Sequence, residues 1–284
     1  MKEISLSESC VKKLKQYPLA NIISSESTLY FFKKNHDRSN ILFKRLYRTD
    51  EERVSRKLRT VERLQNSDFA TYSEFVIPED YVTIGGVKSG FTIQEISDCT
   101  NLHLFLESNT VSRTDKIQVL KRIGELLRRV QSQRQEFYFG DLQSYNFLVG
   151  KDLSIHVVDL DSSAVRDNDK LEVKYIALDQ KTQTVSKYRT DLAGRAYPSV
   201  EADIFCFDTM VLNYLAGRPL HRLSFDEYYD YLCYLKDCGF PQEMINIYAN
   251  IYTDKKNESV VDYLDSLPND YPRVDYRVYQ ALKK

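Results

Sequence analysis

Over residues 138–165 the sequence reads YFGDLQSYNFLVGKDLSIHVVDLDSSAV. Two short apolar segments, 146–149 and 155–158, flank a polar turn at 150–153, which is the pattern of a β-hairpin. Asp141 stands in the turn before the first segment, and Asp159-Leu160-Asp161 follows the second. A hairpin of this kind sets Asp141, Asn146 and Asp159 at strand ends, where their oxygens can converge. Hard oxygen donors of this type suit magnesium that is also held by substrate phosphates. Asp and Asn are also ordinary turn residues, so the rest of the chain decides between a metal site and solvated strand ends.

Composition narrows the field. At 284 residues with 42% hydrophobic content, the chain can bury one or two substantial cores. The 40 basic and 41 acidic residues nearly cancel, so no global field recruits nucleic acid or an anionic membrane. Cys10, Cys99, Cys206, Cys233 and Cys238 are scattered and without C-x-x-C spacing, as expected of reduced thiols in a cytoplasm. The charged start, MKEISLSESCVKKLKQ, is unlike a signal peptide, and no apolar run approaches a membrane span. The expectation is a soluble, cytoplasmic protein.

Residues 5–16 carry Leu6, Cys10 and Leu14 at helical spacing. Segments 21–23, 29–32 and 41–46 read as strands rich in β-branched and aromatic residues, with a serine-rich turn at 24–27. Lys44 lies inside the apolar third strand, where an edge lysine on a half-exposed strand is the bland reading. Thr49-Asp50-Glu51-Glu52 is a capping-box pattern. It opens a helix to about residue 66, striped by Val54, Leu58, Val61 and Leu64. Segments 75–77, 81–84 and 91–96 read as further strands, with Gly85-Gly86 as a turn. From Ser112 the character becomes helical, and Ile117, Leu120, Ile123, Leu127 and Val130 mark the face of a long buried helix. A polar connection at 162–196 is too long for a routine loop. Helices are expected from about 200 to 217 and again between 225 and 267.

In this order and spacing, the residues resemble the protein kinase-like superfamily. Asp141, Asn146 and Asp159 match its D-x-x-x-x-N and D-F-G elements. Lys44 looks like the V-A-I-K lysine that holds nucleotide phosphates, and Glu62, eighteen residues on, matches the helix glutamate that fixes this lysine. The turn at 24–27 takes the place of the glycine-rich loop. Ser25 and Ser27 can donate to phosphate there, and Glu26 would repel it. By the same resemblance Gln94 is the gatekeeper, and backbone groups of Glu95 and Ser97 would meet an adenine. The stretch at 197–208 is similar to Y-S-x-K-S-D-V-W-S-F-G, with Asp203 matching the aspartate that holds the catalytic-loop backbone. Tyr138-Phe139-Gly140-Asp141 lacks the arginine of H-R-D and is closer to the H-G-D of aminoglycoside and choline kinases. Gln143 stands where protein kinases carry lysine, and Asp161 replaces the glycine of D-F-G.

The resemblance, which spans roughly residues 20–270, implies an α+β, bilobal protein kinase-like fold. Residues 1–96 would be a β-rich, nucleotide-binding lobe, and 97–284 a mainly helical lobe with the catalytic loop. The activity it implies is transfer of the γ-phosphoryl group of ATP, with Mg2+, to a hydroxyl on a protein serine or threonine. Asp141 would orient the acceptor hydroxyl and take its proton, Asn146 and Asp159 would hold the metal, and Lys44, fixed by Glu62, would grip phosphates. The implied partners are ATP and a protein substrate. Two alternatives stay open. One is a pseudokinase acting as a binding or scaffold module, supported by the glycine-free turn, the absent arginine and Asp161. The other is a small-molecule kinase of the aminoglycoside or choline type.

Overall fold

The computed structural model describes residues 2–18, 26–34, 40–47, 51–165, 199–215, 225–250, 259–263, 274 and 276–283. The chain divides into two compact units, Met1–Cys99 with His156–Glu172 and Thr100–Ile155 with Val173–Lys284. The whole is α+β, with the larger sheet in the first unit and most of the helices in the second.

The first unit is built on a five-stranded sheet: β1 (Glu3–Leu6), β2 (Ser27–Lys34), β3 (Asn40–Leu46), β4 (Tyr81–Ile84) and β5 (Val87–Gln94), in the order β1-β4-β5-β3-β2. Only β1 and β4 run parallel; the other pairs are antiparallel. One face is covered by α2 (Glu51–Gln65), whose Val54, Leu58 and Val61 pack on Leu46, Tyr81 and Phe91. Burying Val61 and Phe91 contributes about 1.5–3 kcal/mol each, which holds the helix on the sheet. On the other face Val11, Phe43, Val82 and Ile84 form a second cluster with Leu6, Leu14, Tyr30 and Phe32.

Three expectations change here. The helix expected over 5–16 is a four-residue helix, α1 (Glu8–Val11), preceded by β1, because residues 3–6 pair with β4 and Ser7 then caps the turn through Cys10 N–H at 3.2 Å. Residues 75–77 form no strand; Phe75 makes a single bridge to Val157. The stretch His156–Glu172, expected in the second lobe, belongs to the first unit. Its Val157 N–H donates to the Glu74 carbonyl at 2.7 Å, and its carbonyl accepts from Val76 N–H at 3.0 Å. The strand expected at 21–23 and most of the 162–196 connection lie outside the described residues.

The second unit opens with α3 (Leu102–Glu107) and α4 (Arg113–Gln131), capped by Ser112, whose Oγ accepts from Asp115 N–H at 3.0 Å. The stripe read from the sequence, Ile117 to Val130, is the buried face of α4. The expected hairpin is formed by Phe147–Gly150 and Ile155–Val157, its turn closed by Leu153 N–H to the Gly150 carbonyl at 3.0 Å. Then follow α5 (Val200–Leu215), α6 (Phe225–Asp237), α7 (Gln242–Asn250), α8 (Val260–Tyr263) and α9 (Tyr276–Leu282). Asp208 of α5, buried, accepts at Oδ1 from Ser259 Oγ at 2.9 Å and from Val260 N–H at 3.1 Å, so it caps α8 from the side. Tyr231 packs edge-on against Tyr276 and Tyr279, with ring centroids 5.3 and 5.1 Å away. No described helix is long and apolar enough to cross a membrane, and all five cysteines are free thiols.

Candidate functional site

Lys44 faces the α2 side of the sheet, paired in register with Leu29 of β2 and Phe91 of β5, and is 7% exposed. β5 reaches β3 this closely because residue 90 is glycine. At φ +157° a Cβ there would run into the Lys44 carbonyl. A lysine buried in such surroundings needs anions. Two arrive on one turn: Asp159 bonds Lys44 Nζ, and Asp161 Oδ1 lies 2.6 Å from it. Asp159 is left-handed (φ 64°, ψ 28°), a conformation Asp tolerates better than most residues. It opens the 3-10 turn Leu160–Ser162 that turns both carboxylates to the same lysine. Burial lowers the pKa of Lys44, and the two carboxylates more than offset this, holding it above the ordinary lysine value. Burial likewise raises that of Asp161, but the lysines around it leave it well below the usual carboxylate range.

The second lysine is Lys57 of α2, also buried. Its Nζ lies 2.8 Å from Asp161 Oδ2, 3.0 Å from Ser162 Oγ and 2.9 Å from Glu26 Oε2. Glu26 also bonds Arg53, one turn earlier on α2. Glu26, expected only to repel phosphate, thus lies between two cations. Glu62 is exposed on α2, and its charge acts on Tyr81. Lys44 is paired with Asp159 and Asp161, and the pairing expected with Glu62 is not formed.

In the second unit Asp203, buried on α5, accepts from Phe139 N–H at 2.7 Å and Gly140 N–H at 3.1 Å. This is the backbone hold expected of it. Gly140 takes a positive φ of 66°, which a glycine adopts freely. Phe139, in the place of the histidine of H-G-D, packs edge-on against Phe137 at 5.0 Å. Asp141 follows, half-buried. Its Oδ1 accepts from Gln143 Nε2 at 2.9 Å and its Oδ2 from Asn146 Nδ2 at 3.2 Å. Asn146 Nδ2 also donates to the Asp141 carbonyl at 2.8 Å. Two neutral amides therefore fix the Asp141 carboxylate, and the nitrogen side of Asn146 faces Asp141, leaving its Oδ1 as the oxygen donor. Cys206 lies close enough to feel Asp203 and Asp141. Burial first, then those two charges, push its thiol up, so it stays protonated.

Lys44 and Asp159 thus come together in the first unit, and Asp141 and Asn146 in the second. Glu95 directly follows β5; its N–H donates to the Asn40 carbonyl at 2.9 Å, and its carbonyl accepts from Gln94 Nε2 at 3.5 Å. Ser97 is exposed in the turn that follows. Ser27 is buried at the first position of β2, opposite Leu46, which moves it from an open phosphate turn into the sheet. Ser25 lies outside the described residues. Asp159 of the first unit and Asn146 of the second each carry an oxygen of the hard kind that magnesium prefers. Among the described residues no group of three or more His, Cys, Asp and Glu is placed to hold a metal ion. Sequence reasoning missed Lys57. Its signal was its place on the stripe of α2, between Val54 and Leu58 on one side and Val61 on the other. No protein-family model and no curated protein matches the chain.

Proposed function

We propose that the protein is a magnesium- and ATP-dependent phosphotransferase of the protein kinase-like type, with a bilobal fold, acting on a hydroxyl of a protein serine or threonine. The observation that carries this reading is the union of Lys44 with Asp159, 115 residues further along the chain. It brings the strand lysine that the resemblance assigns to phosphates beside the aspartate that it assigns to magnesium. The hold of Asp203 on the loop before Asp141 supports it independently.

Phosphoryl transfer asks for positioning and charge neutralisation more than for covalent participation. Lys44, anchored at its base in β3, offers a fixed cation to phosphate oxygens. Asp141, its carboxylate oriented by Gln143 and Asn146, positions the acceptor hydroxyl and takes its proton as the new bond forms. Asp159 and Asn146 would hold magnesium, which when bound neutralises phosphate charge. The carbonyl of Glu95 and the turn at Ser97 receive the base.

The second reading is a binding module without turnover. Asp161 favours it, because it occupies the place of a glycine and already engages Lys44. A thermal-shift titration with ATP and magnesium, followed by mass spectrometry of transfer to itself and to protein, sugar and amine acceptors, separates the readings. Binding with transfer to protein supports the proposal, and transfer to a sugar or amine moves it to the small-molecule kinases. Binding without transfer to any acceptor favours the module. Absence of nucleotide binding removes the nucleotide-based readings altogether.

A further inference from the structure

Asp161 and Lys57 form a pair that none of the expected roles includes. Both oxygens of Asp161 are engaged, Oδ1 by Lys44 at 2.6 Å and Oδ2 by Lys57 at 2.8 Å, and its side chain is 1% exposed. An ammonium has three N–H groups. Those of Lys57 have three acceptors in reach, on Asp161, Ser162 and Glu26. Those of Lys44 have two, on Asp159 and Asp161, so one N–H is left over to meet a phosphate oxygen. A lysine ends in a compact charge on a flexible four-carbon stem, so it is held only as firmly as its anion. A carboxylate drawn from opposite sides by two cations cannot rotate without breaking one of the two contacts.

Stability alone is a weak reason for this arrangement, since burying ions is costly and apolar replacements of similar volume are often as stable. Lys57 lies on the stripe that packs against the sheet, where an apolar side chain would continue the pattern of Val54, Leu58 and Val61. Glu62, the acid expected to orient Lys44, is exposed and away from it. We propose that Lys57 is a positioning residue for Lys44, acting through Asp161: the Lys57–Asp161 pair fixes the phosphate-gripping ammonium in the manner expected of Glu62. This rests on the phosphotransferase reading above.

The test compares Kd for magnesium-ATP with Kd for adenosine, by calorimetry, in wild type, Lys57→Met, Asp161→Asn and the double variant Lys57→Met/Asp161→Leu. Thermal melts check folding. The double variant removes opposite charges together and leaves neither of them buried without the other, so it decides the matter if a single variant does not fold. Disturbing a charge-assisted hydrogen bond to phosphate should weaken ATP binding roughly 10–100-fold, while adenosine, which has no phosphate, keeps its affinity. A folded variant in which both ligands weaken in parallel, or neither weakens, overturns the positioning role and leaves Lys57 a packing residue. Wild type without affinity for ATP overturns the phosphotransferase reading itself, and this inference with it.

Discussion

The phenol of Tyr81 is pushed up to about 12, by burial first and then by the charge of Glu62. Its hydroxyl donates to the Leu58 carbonyl at 2.9 Å, so ionisation would also break a hydrogen bond that ties β4 to α2. The folded value lies above the ordinary tyrosine value of about 10. The stability this group contributes is therefore complete below pH ~10 and is lost as the pH rises through the folded value. Glu62→Gln removes the second cause and leaves the first. Tyr81 should then titrate lower than in wild type and still above an exposed tyrosine, as read from its ring carbon resonance against pH with Tyr81→Phe for assignment. An unmoved titration would place Glu62 elsewhere and reopen its pairing with Lys44. Glu26 supports a second forecast. Read from sequence it repels phosphate, and Glu26→Gly would tighten ATP binding. With its carboxylate on Arg53 and Lys57, the substitution instead removes partly exposed ion pairs worth about 0.2–1 kcal/mol each. The melting temperature should fall and ATP affinity should not improve; a clear gain in affinity would restore the repulsive reading. Asp141, Asn146 and Asp159 drew notice as oxygen donors at the ends of a hairpin, and Lys44 and Asp203 only through the resemblance. Lys57 drew none, because a lysine on a helix is ordinarily solvated and only its place on the apolar stripe marks it.

Among the elements, α2 and α4 were the most readable. A capping box and an apolar stripe announce one, a serine cap and a three-and-four-residue rhythm the other, and both signals are local. β1 was hidden for the opposite reason. Four residues with Ile4 and Leu6 half-buried fit the start of a helix as well as a strand, and the partner that decides is β4, far along the chain. The turn carrying Asp159 and Asp161 was legible as a place. Its geometry was not, since a left-handed aspartate followed by a 3-10 turn leaves no trace in residue type. β3 and β5 carry the prediction at this scale. Gly90 lets β5 lie against the Lys44 carbonyl at a φ that side chains avoid. Gly90→Ala must move one strand away from the other, at a cost of about 1–3 kcal/mol by analogy with overpacked cores. Because the residue that moves is Lys44, phosphate affinity should fall along with the unfolding midpoint. Denaturant unfolding and an ATP titration on the same variant check this, and an unchanged midpoint would mean the strands can part freely at that point.

Across the whole molecule, the sequence boundary at 96/97 falls close to the division at Cys99, but the chain's return through His156–Glu172 could not be read. That return is fixed by bonds between residues more than a hundred positions apart, Lys44 and Lys57 to Asp161. No local pattern encodes such a pairing. The consequence is a division of labour that one substitution in each unit can test. Asp159 belongs to the first unit and pairs with Lys44, the lysine proposed to grip phosphate, so Asp159→Asn removes a charge from the proposed metal ligand and from beside Lys44 together. Magnesium-dependent nucleotide binding should weaken, and transfer should be lost. Asp141 belongs to the second unit and is held by neutral amides, and the proposal gives it no part in gripping phosphate. Asp141→Asn should leave nucleotide binding nearly unchanged while turnover falls by about 10²–10⁴, the usual worth of a positioned proton acceptor. Calorimetry gives the first quantity and a phosphoryl-transfer assay the second, on the same three proteins. If Asp141→Asn transfers phosphate as fast as wild type, Asp141 is not the proton acceptor even though the chain is a phosphotransferase. If both variants bind nucleotide as wild type does and none of the three transfers phosphate, the two aspartates shape a binding surface, and the binding module becomes the account that fits.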